Sequence, residues 1–316
     1  MEIDRKELKT RAKASMALTR PKFWVVSLTY LLLAVGVPFV INYLPVTGVG
    51  AALFLTLFSI MFRFVVDFGL DLWSLWTCRR LDPGLDSLIQ GFSVVGRVLM
   101  MNLGIYARVF CWTLVAILAV AMVIPVALLT ESLSVAVTVS LVVMVAVYVA
   151  VWVISMRYSL APYLLADRPD DGSTAAIRRS VELMRGWKFE LFKLEFSFLG
   201  WYILQEILSG LMLAFLLWQS GFFTAVLAFS GADLTALISG WISLTQGVSP
   251  DVMGLAPAVV EALDLFTGTV GSTAADLLTQ LITLPVLLFF TPYLSVTRAE
   301  FYNARLLLQK DNAPEL

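Results

Sequence analysis

Lysine and arginine, 22 in all across 316 residues, are absent from three long stretches at 23–62, 109–156 and 194–297. No other feature constrains the fold as tightly. The stretches are 40, 48 and 104 residues long. At about 1.5 Å of rise per helical residue, even the shortest can cross a hydrocarbon core of about 30 Å twice. Each stretch therefore reads as an out-and-back helical hairpin. Because basic residues collect on the cytoplasmic side of membrane segments, the charged intervals are expected inside and the basic-free turns outside.

Composition agrees. The chain is 59 % hydrophobic and 14 % charged, and its mean hydropathy is +0.87, far from the values of soluble domains. The net charge of −1 hides an asymmetry: seven acids, among them Asp233, Asp251, Glu261 and Asp264, fall in the last basic-free stretch. Nucleic acid is excluded as a natural partner. Membrane lipids are the expected one, because basic residues at the inner face meet anionic headgroups at about 1 kcal/mol each. Histidine is absent altogether, which removes the commonest general base and transition-metal ligand. No metal or cofactor is expected. The two cysteines, Cys78 and Cys111, form neither a redox pair nor a disulfide framework. No small-residue cleavage site follows the apolar run that begins at Phe23, so the first helix reads as retained.

The expected architecture is all-α, a single membrane domain over 1–316 with six transmembrane helices in three hairpins and both termini inside. Hairpin 1 covers 23–76, hairpin 2 covers 98–158, and hairpin 3 covers 187–297 with an outer-face segment at 221–270. An amphipathic helix on the inner interface is expected before each hairpin, at 1–22, 82–97 and 170–186, and a cytoplasmic tail follows at 298–316. Leu8, Ala12 and Met16, then Leu85, Leu88, Ile89, Phe92 and Val95, then Ile177, Val181 and Met184 recur at helical spacing among polar residues. APYL at 161–164 is echoed by TPYL at 291–294, which together with these helices suggests a threefold internal repeat.

Charges inside the spans are the candidate functional residues. Arg63, Asp67 and Asp71 stand at i, i+4 and i+8 on the second span. Asn102, Arg108, Arg157 and Glu195 are expected at comparable depth. Each charge in a span costs about 2.5 kcal/mol or more unless paired or hydrated. A shared polar interior is implied, either a hydrophilic pocket or an ion-pair network that holds the bundle. Pro162 with Tyr163, and Pro292 with Tyr293, are expected to kink or end their helices.

The acids of DRPDDGSTAAIRR at 167–179 invite a metal-dependent reading through Asp167, Asp170 and Asp171. The CDP-alcohol phosphotransferase signature fails here, since Arg168 and Ala176 stand where it needs Asp and Arg, and no second DxxxD follows. An enzyme is not expected, and no nucleotide-binding motif is present.

Three segments, RYSLAPYLLADRPDD at 157–171, AIRRSVELMRGWKFELFKLEFSFLGWYIL at 176–204 and TPYLSVTRAEFY at 291–302, together with DRKELK at 4–9, resemble a family of bacterial multi-pass membrane proteins described as domain of unknown function nine-seventy-five. The resemblance implies a bacterial cytoplasmic-membrane protein of about six helices, with no catalytic or ligand residues to carry over. The segment at 221–270 is longer than that family's connection. The function expected from the residues is non-enzymatic: binding or passing an amphiphile, a lipid or hydrophobic peptide, through a polar-lined bundle. A scaffold that docks partner proteins or a second copy of the chain is the alternative.

Overall fold

The computed structural model describes residues 4–128, 133–245 and 254–311. Among these every regular element is helical. In chain order they are α1 (Arg5–Ala17), α2 (Phe23–Leu31), α3 (Val37–Asn42), α4 (Val49–Cys78), α5 (Ser87–Gln90), α6 (Val95–Leu128), α7 (Leu133–Ser155), α8 (Ala161–Asp167), α9 (Ser173–Leu183), α10 (Lys188–Phe196), α11 (Leu199–Gln219), α12 (Phe222–Leu227), α13 (Gly231–Thr245), α14 (Pro257–Val270) and α15 (Thr273–Asp311). Among the described residues, six stretches are long and apolar enough to cross a membrane: Phe23–Ile41, Val49–Cys78, Ser87–Leu118, Leu141–Asp167, Leu199–Gln219 and Thr273–Gln309. The turn expected at Thr130 and Glu131 lies outside the described residues.

Local chemistry explains where helices start and change pitch. Asp4 caps α1 by accepting from the Lys6 amide at 2.9 Å. Between α2 and α3 the chain widens into a π-helical turn, Leu32–Gly36. Pro38 follows, lacks an N–H for the Ala34 carbonyl one turn back, and so favours the wider pitch. Pro162 stands at a helix start: α7 ends at Ser155, a 3₁₀ turn spans Met156–Tyr158, and Pro162 sits in the first turn of α8. Pro292 does not terminate its helix, since α15 runs unbroken from Thr273 to Asp311.

The helices divide into two compact units. The first holds the described residues of Met1–Phe198 and Leu288–Leu316. Its core gathers on the C-terminal half of α4, where Val65, Val66, Trp73 and Leu75 are at most 1 % exposed. Val98 and Met101 of α6, Leu160, Tyr163 and Leu165 around α8, and Val296, Ala299, Phe301 and Tyr302 of α15 complete it. By contrast Leu53, Phe54 and Leu57 of α4 and Leu141, Val142 and Met144 of α7 are exposed. Such apolar surface suits hydrocarbon.

The three amphipathic patterns end differently. Leu8, Ala12 and Met16 of α1 are buried, as are Ile177 and Met184 at α9, so protein covers these apolar faces, and the interface helix expected at 170–186 starts only at Ser173. The expected helix at 82–97 does not form as one element. A short α5 and a 3₁₀ turn at Gly91–Val94 lead directly into α6. Of its apolar set only Leu88 is buried, while Leu85, Ile89, Phe92 and Val95 stay exposed. Leu88 is held by a close crossing with α4. A Cβ on Gly69 would stand 2.8 Å from the Leu88 Cα and closer still to its carbonyl oxygen, and one on Gly91 would meet the Val65 carbonyl oxygen at 2.6 Å. Only glycine lets the two backbones approach this far.

The second unit is Leu199–Leu287. Here α12, α13 and α14 pack with α11 around Val259, Ala262 and Leu263, each at most 1 % exposed. Phe266 is 5.6 Å from Phe222 and 4.9 Å, edge-on, from Trp241. The segment expected as an outer-face cap thus contains three helices among its described residues, with its own small core.

Gly69→Ala should lower stability by about 1–3 kcal/mol through overpacking against Leu88, read as a fall in the thermal unfolding midpoint in detergent. Gly200→Ala, where an added Cβ meets nothing within 4 Å, should cause no loss.

Candidate functional site

The seven span residues expected to share one interior do not all meet. Asp67 accepts from the Tyr30 hydroxyl at 2.7 Å, and the Arg63 Nε lies 3.8 Å from its other oxygen. That group joins α2 to α4, and the Arg63 and Asp67 side chains are 59 % and 42 % exposed. One turn on, Asp71 belongs to a second group. The Arg298 guanidinium acts on it, and so does the Tyr163 hydroxyl, which also reaches the Ser295 carbonyl at 3.3 Å. Arg298 pairs in turn with Glu195 at 2.9 Å. Asp71, Glu195 and Arg298 therefore link α4, α10 and α15. Asn102 and Arg108 instead bond one turn back on their own helix, to the Val98 carbonyl at 3.0 Å and the Gly104 carbonyl at 2.7 Å. Arg157 has a buried Nε with no hydrogen-bond partner. The paired tyrosines are both buried. Tyr163 stacks on Tyr302 at 5.5 Å, and Tyr293 packs edge-on against Phe198 at 5.1 Å with the Lys13 ammonium 5.3 Å from its ring.

Sequence reasoning missed the junction that shapes the most promising cavity. Arg79, the first residue past α4, forms a two-pronged pair with Asp167 at the end of α8, Nη1 to Oδ1 at 2.5 Å and Nη2 to Oδ2 at 2.8 Å. Tyr302 of α15 donates to the same carboxylate at 2.7 Å, and Arg79 also donates to the Asn303 side-chain oxygen at 3.2 Å. The Asp167 carboxylate holds the Arg79 guanidinium above its ordinary pKa, so it stays charged. Nearby, Arg305 of α15 donates to the Leu183 carbonyl at 2.9 Å, where α9 leaves acceptors unpaired, and lies 4.2 Å over the Trp187 ring. The signals were present, since Arg79 is the first cation after an apolar run and Tyr302 belongs to the FY element. Their meeting spans 88 and 135 residues and leaves no local pattern.

These contacts set the C-terminal part of α15 beside α8 and α9 and leave a groove of about 790 Å³ between them. Leu164, Leu183, Leu306 and Leu307 supply apolar lining, while Asp167, Arg168, Arg179, Glu182, Tyr302, Asn303 and Gln309 supply polar groups. Both charge signs are within it. Asp170 and Asp171 do not join Asp167 as a carboxylate cluster: Asp170 lies 3.4 Å from Arg97, and Asp171 pairs with Arg179 at 2.5 Å. Among the described residues no three His, Cys, Asp or Glu side chains gather as a metal site.

Asp167→Asn should cost about 2 kcal/mol, the usual scale for a hydrogen-bonded charge losing its partner. Tyr302→Phe should cost about 1 kcal/mol. The double variant should cost less than the sum, because Asp167 serves both bonds. A double-mutant cycle on thermal unfolding measures the difference.

No curated protein and no solved structure matches the chain. The model of the family described as "Protein of unknown function (DUF975)" matches residues 1–230. That region includes α1 to α12 and the two segments at 157–171 and 176–204, but stops short of TPYLSVTRAEFY at 291–302. With most of its length matched, the chain belongs to the DUF975 family of proteins of unknown function.

Proposed function

We propose that this multi-pass membrane protein is non-enzymatic and binds or passes an amphiphile, a lipid or hydrophobic peptide, with the groove between α8, α9 and the end of α15 as its binding place. The observation that carries this reading is the lining itself. Leucines from three helices adjoin Arg168, Arg179 and Glu182 within one cavity. Apolar lining takes up a chain or side chain, and a few placed polar groups fix orientation. Arg168 and Glu182 keep side chains 65 % and 58 % exposed, so both can re-pair with a ligand at little cost. Asp167 is committed to Arg79 and Tyr302 and holds the groove's shape. Covalent chemistry has no support in this groove: its lining contains no histidine or cysteine, and its Asp167 carboxylate is paired with a guanidinium. The distribution of basic residues supports a cytoplasmic position for the groove, on the reading that both termini are inside.

Native mass spectrometry of the full chain released from a mild detergent tests this. A bound lipid or peptide should accompany the wild type, and Arg168→Gln and Leu307→Gln, both at exposed positions, should each weaken its retention about tenfold, or 1.4 kcal/mol. Equal retention by both variants would remove the groove from consideration. Stoichiometric recovery of a protein partner without any amphiphile would favour the scaffold reading.

A further inference from the structure

A second place on the first unit has the chemistry of a lipid site and shares no residue with the groove. Arg157 is the first cation after the 48-residue basic-free run and follows directly on α7. Its 3₁₀ turn packs against α10, which opens with Lys188. The two cations are thus carried by elements in contact, near enough for the Arg157 charge to act on Lys188. Burial, and then the neighbouring Arg157 charge, lower the pKa of Lys188, while no carboxylate acts on it. The nearest acid in sequence, Glu190, is taken by Lys193 at 2.7 Å. Among the described residues neither Arg157 nor Lys188 has a carboxylate partner, and the Arg157 Nε is buried without an acceptor. Like charges so placed disfavour each other and the fold. An anion between them reverses the sign of that interaction.

The surroundings say which anion. Starting from these two cations, α7 read backwards runs into apolar sequence, and α10 read forwards carries three phenylalanines between its charges. Five residues before Arg157, Trp152 meets Phe192 of α10 at 5.0 Å. Phe189, Phe192 and Phe196 stack in a ridge at 5.9 Å intervals along α10. Phe189 and Phe196 are 64 % and 54 % exposed, a costly surface in water and an ordinary one against acyl chains. A free phosphate would use the cations and leave the ridge bare. A phospholipid uses both.

We infer that Arg157 and Lys188 clasp the phosphate of an anionic phospholipid whose acyl chain lies along the Trp152–Phe192 ridge. Arginine offers its planar fork to the phosphate and lysine a point charge, and the aromatic faces order the first part of the chain. The lipid supplies the counter-charge that the protein omits, so its binding also stabilises the packing of α7 on α10.

The test uses the full chain in a mild detergent, titrated with phosphatidylglycerol or phosphatidylcholine and read by native mass spectrometry and by the unfolding midpoint. Wild type should retain phosphatidylglycerol over phosphatidylcholine and gain thermal stability from it. Arg157→Gln and Lys188→Gln should each weaken phosphatidylglycerol retention about fivefold, the equivalent of about 1 kcal/mol per basic residue at a membrane surface. Arg157→Lys should keep most of it, and Lys6→Gln, at an exposed position on α1, should keep all. Should Arg157→Gln fail to fold, Lys188→Gln alone decides. Equal retention of the two lipids would overturn the proposal, and so would losses no larger than that of Lys6→Gln. Inorganic phosphate that matched the lipid's stabilisation would reduce the site to a free-anion site and overturn the lipid assignment. The groove variants Arg168→Gln and Leu307→Gln should leave this preference intact, which separates the two sites.

Discussion

The Asp167 carboxylate is where three separate parts of the chain are tied together. It accepts a two-pronged bond from Arg79 past the end of α4 and a third bond from Tyr302 on α15, and it sits at the end of α8. In a chain this apolar, a charge without a partner is expensive, and a carboxylate that satisfies one guanidinium and one phenol removes that cost at a single point. Around it Tyr163 stacks on Tyr302, and the Cys78 thiol points to the Val296 carbonyl at 3.3 Å. With α15 secured there, Arg305 reaches the end of α9 and the groove takes its shape.

A second consequence of the same physics is where the first unit concentrates its core. Away from water, apolar side chains gain little by packing on one another instead of on lipid, so tight burial develops where polar and small groups can hold helices together. The glycine crossing of α4 on the 87–94 segment, the Asp71–Arg298–Glu195 group and the Asp167 junction all lie in that first unit. The apolar residues left exposed on α4, α6 and α7 are the surface that a membrane covers. Among the described residues, the buried Arg157 Nε has no acceptor, and the lipid headgroup proposed above would provide one.

Much was legible from local pattern. A run of 40 uncharged, largely apolar residues has few other outcomes than helices long enough to cross a membrane, because backbone groups there must be satisfied internally. The spacing of Leu8, Ala12 and Met16 marked the face of α1 that is buried. The stretch at 82–97 shows the limit of that reasoning. Its helical spacing resembled the others, yet the Gly69 and Gly91 contacts draw in Leu88 alone and the chain turns straight into α6. Pro292 illustrates the same limit, since an unbroken α15 carries it.

From sequence alone came the helical class, the apolar spans, the absence of histidine chemistry and the family resemblance, all properties of residue type and short-range order. Tertiary structure decided which charges meet. Glu195 with Arg298, and Asp167 with Arg79 and Tyr302, are separated by long intervals of chain, and a Coulomb interaction depends on distance in space, which periodicity does not encode. For the same reason the candidate site moved from seven polar residues spread over four spans to a groove where leucines and ions from three helices adjoin.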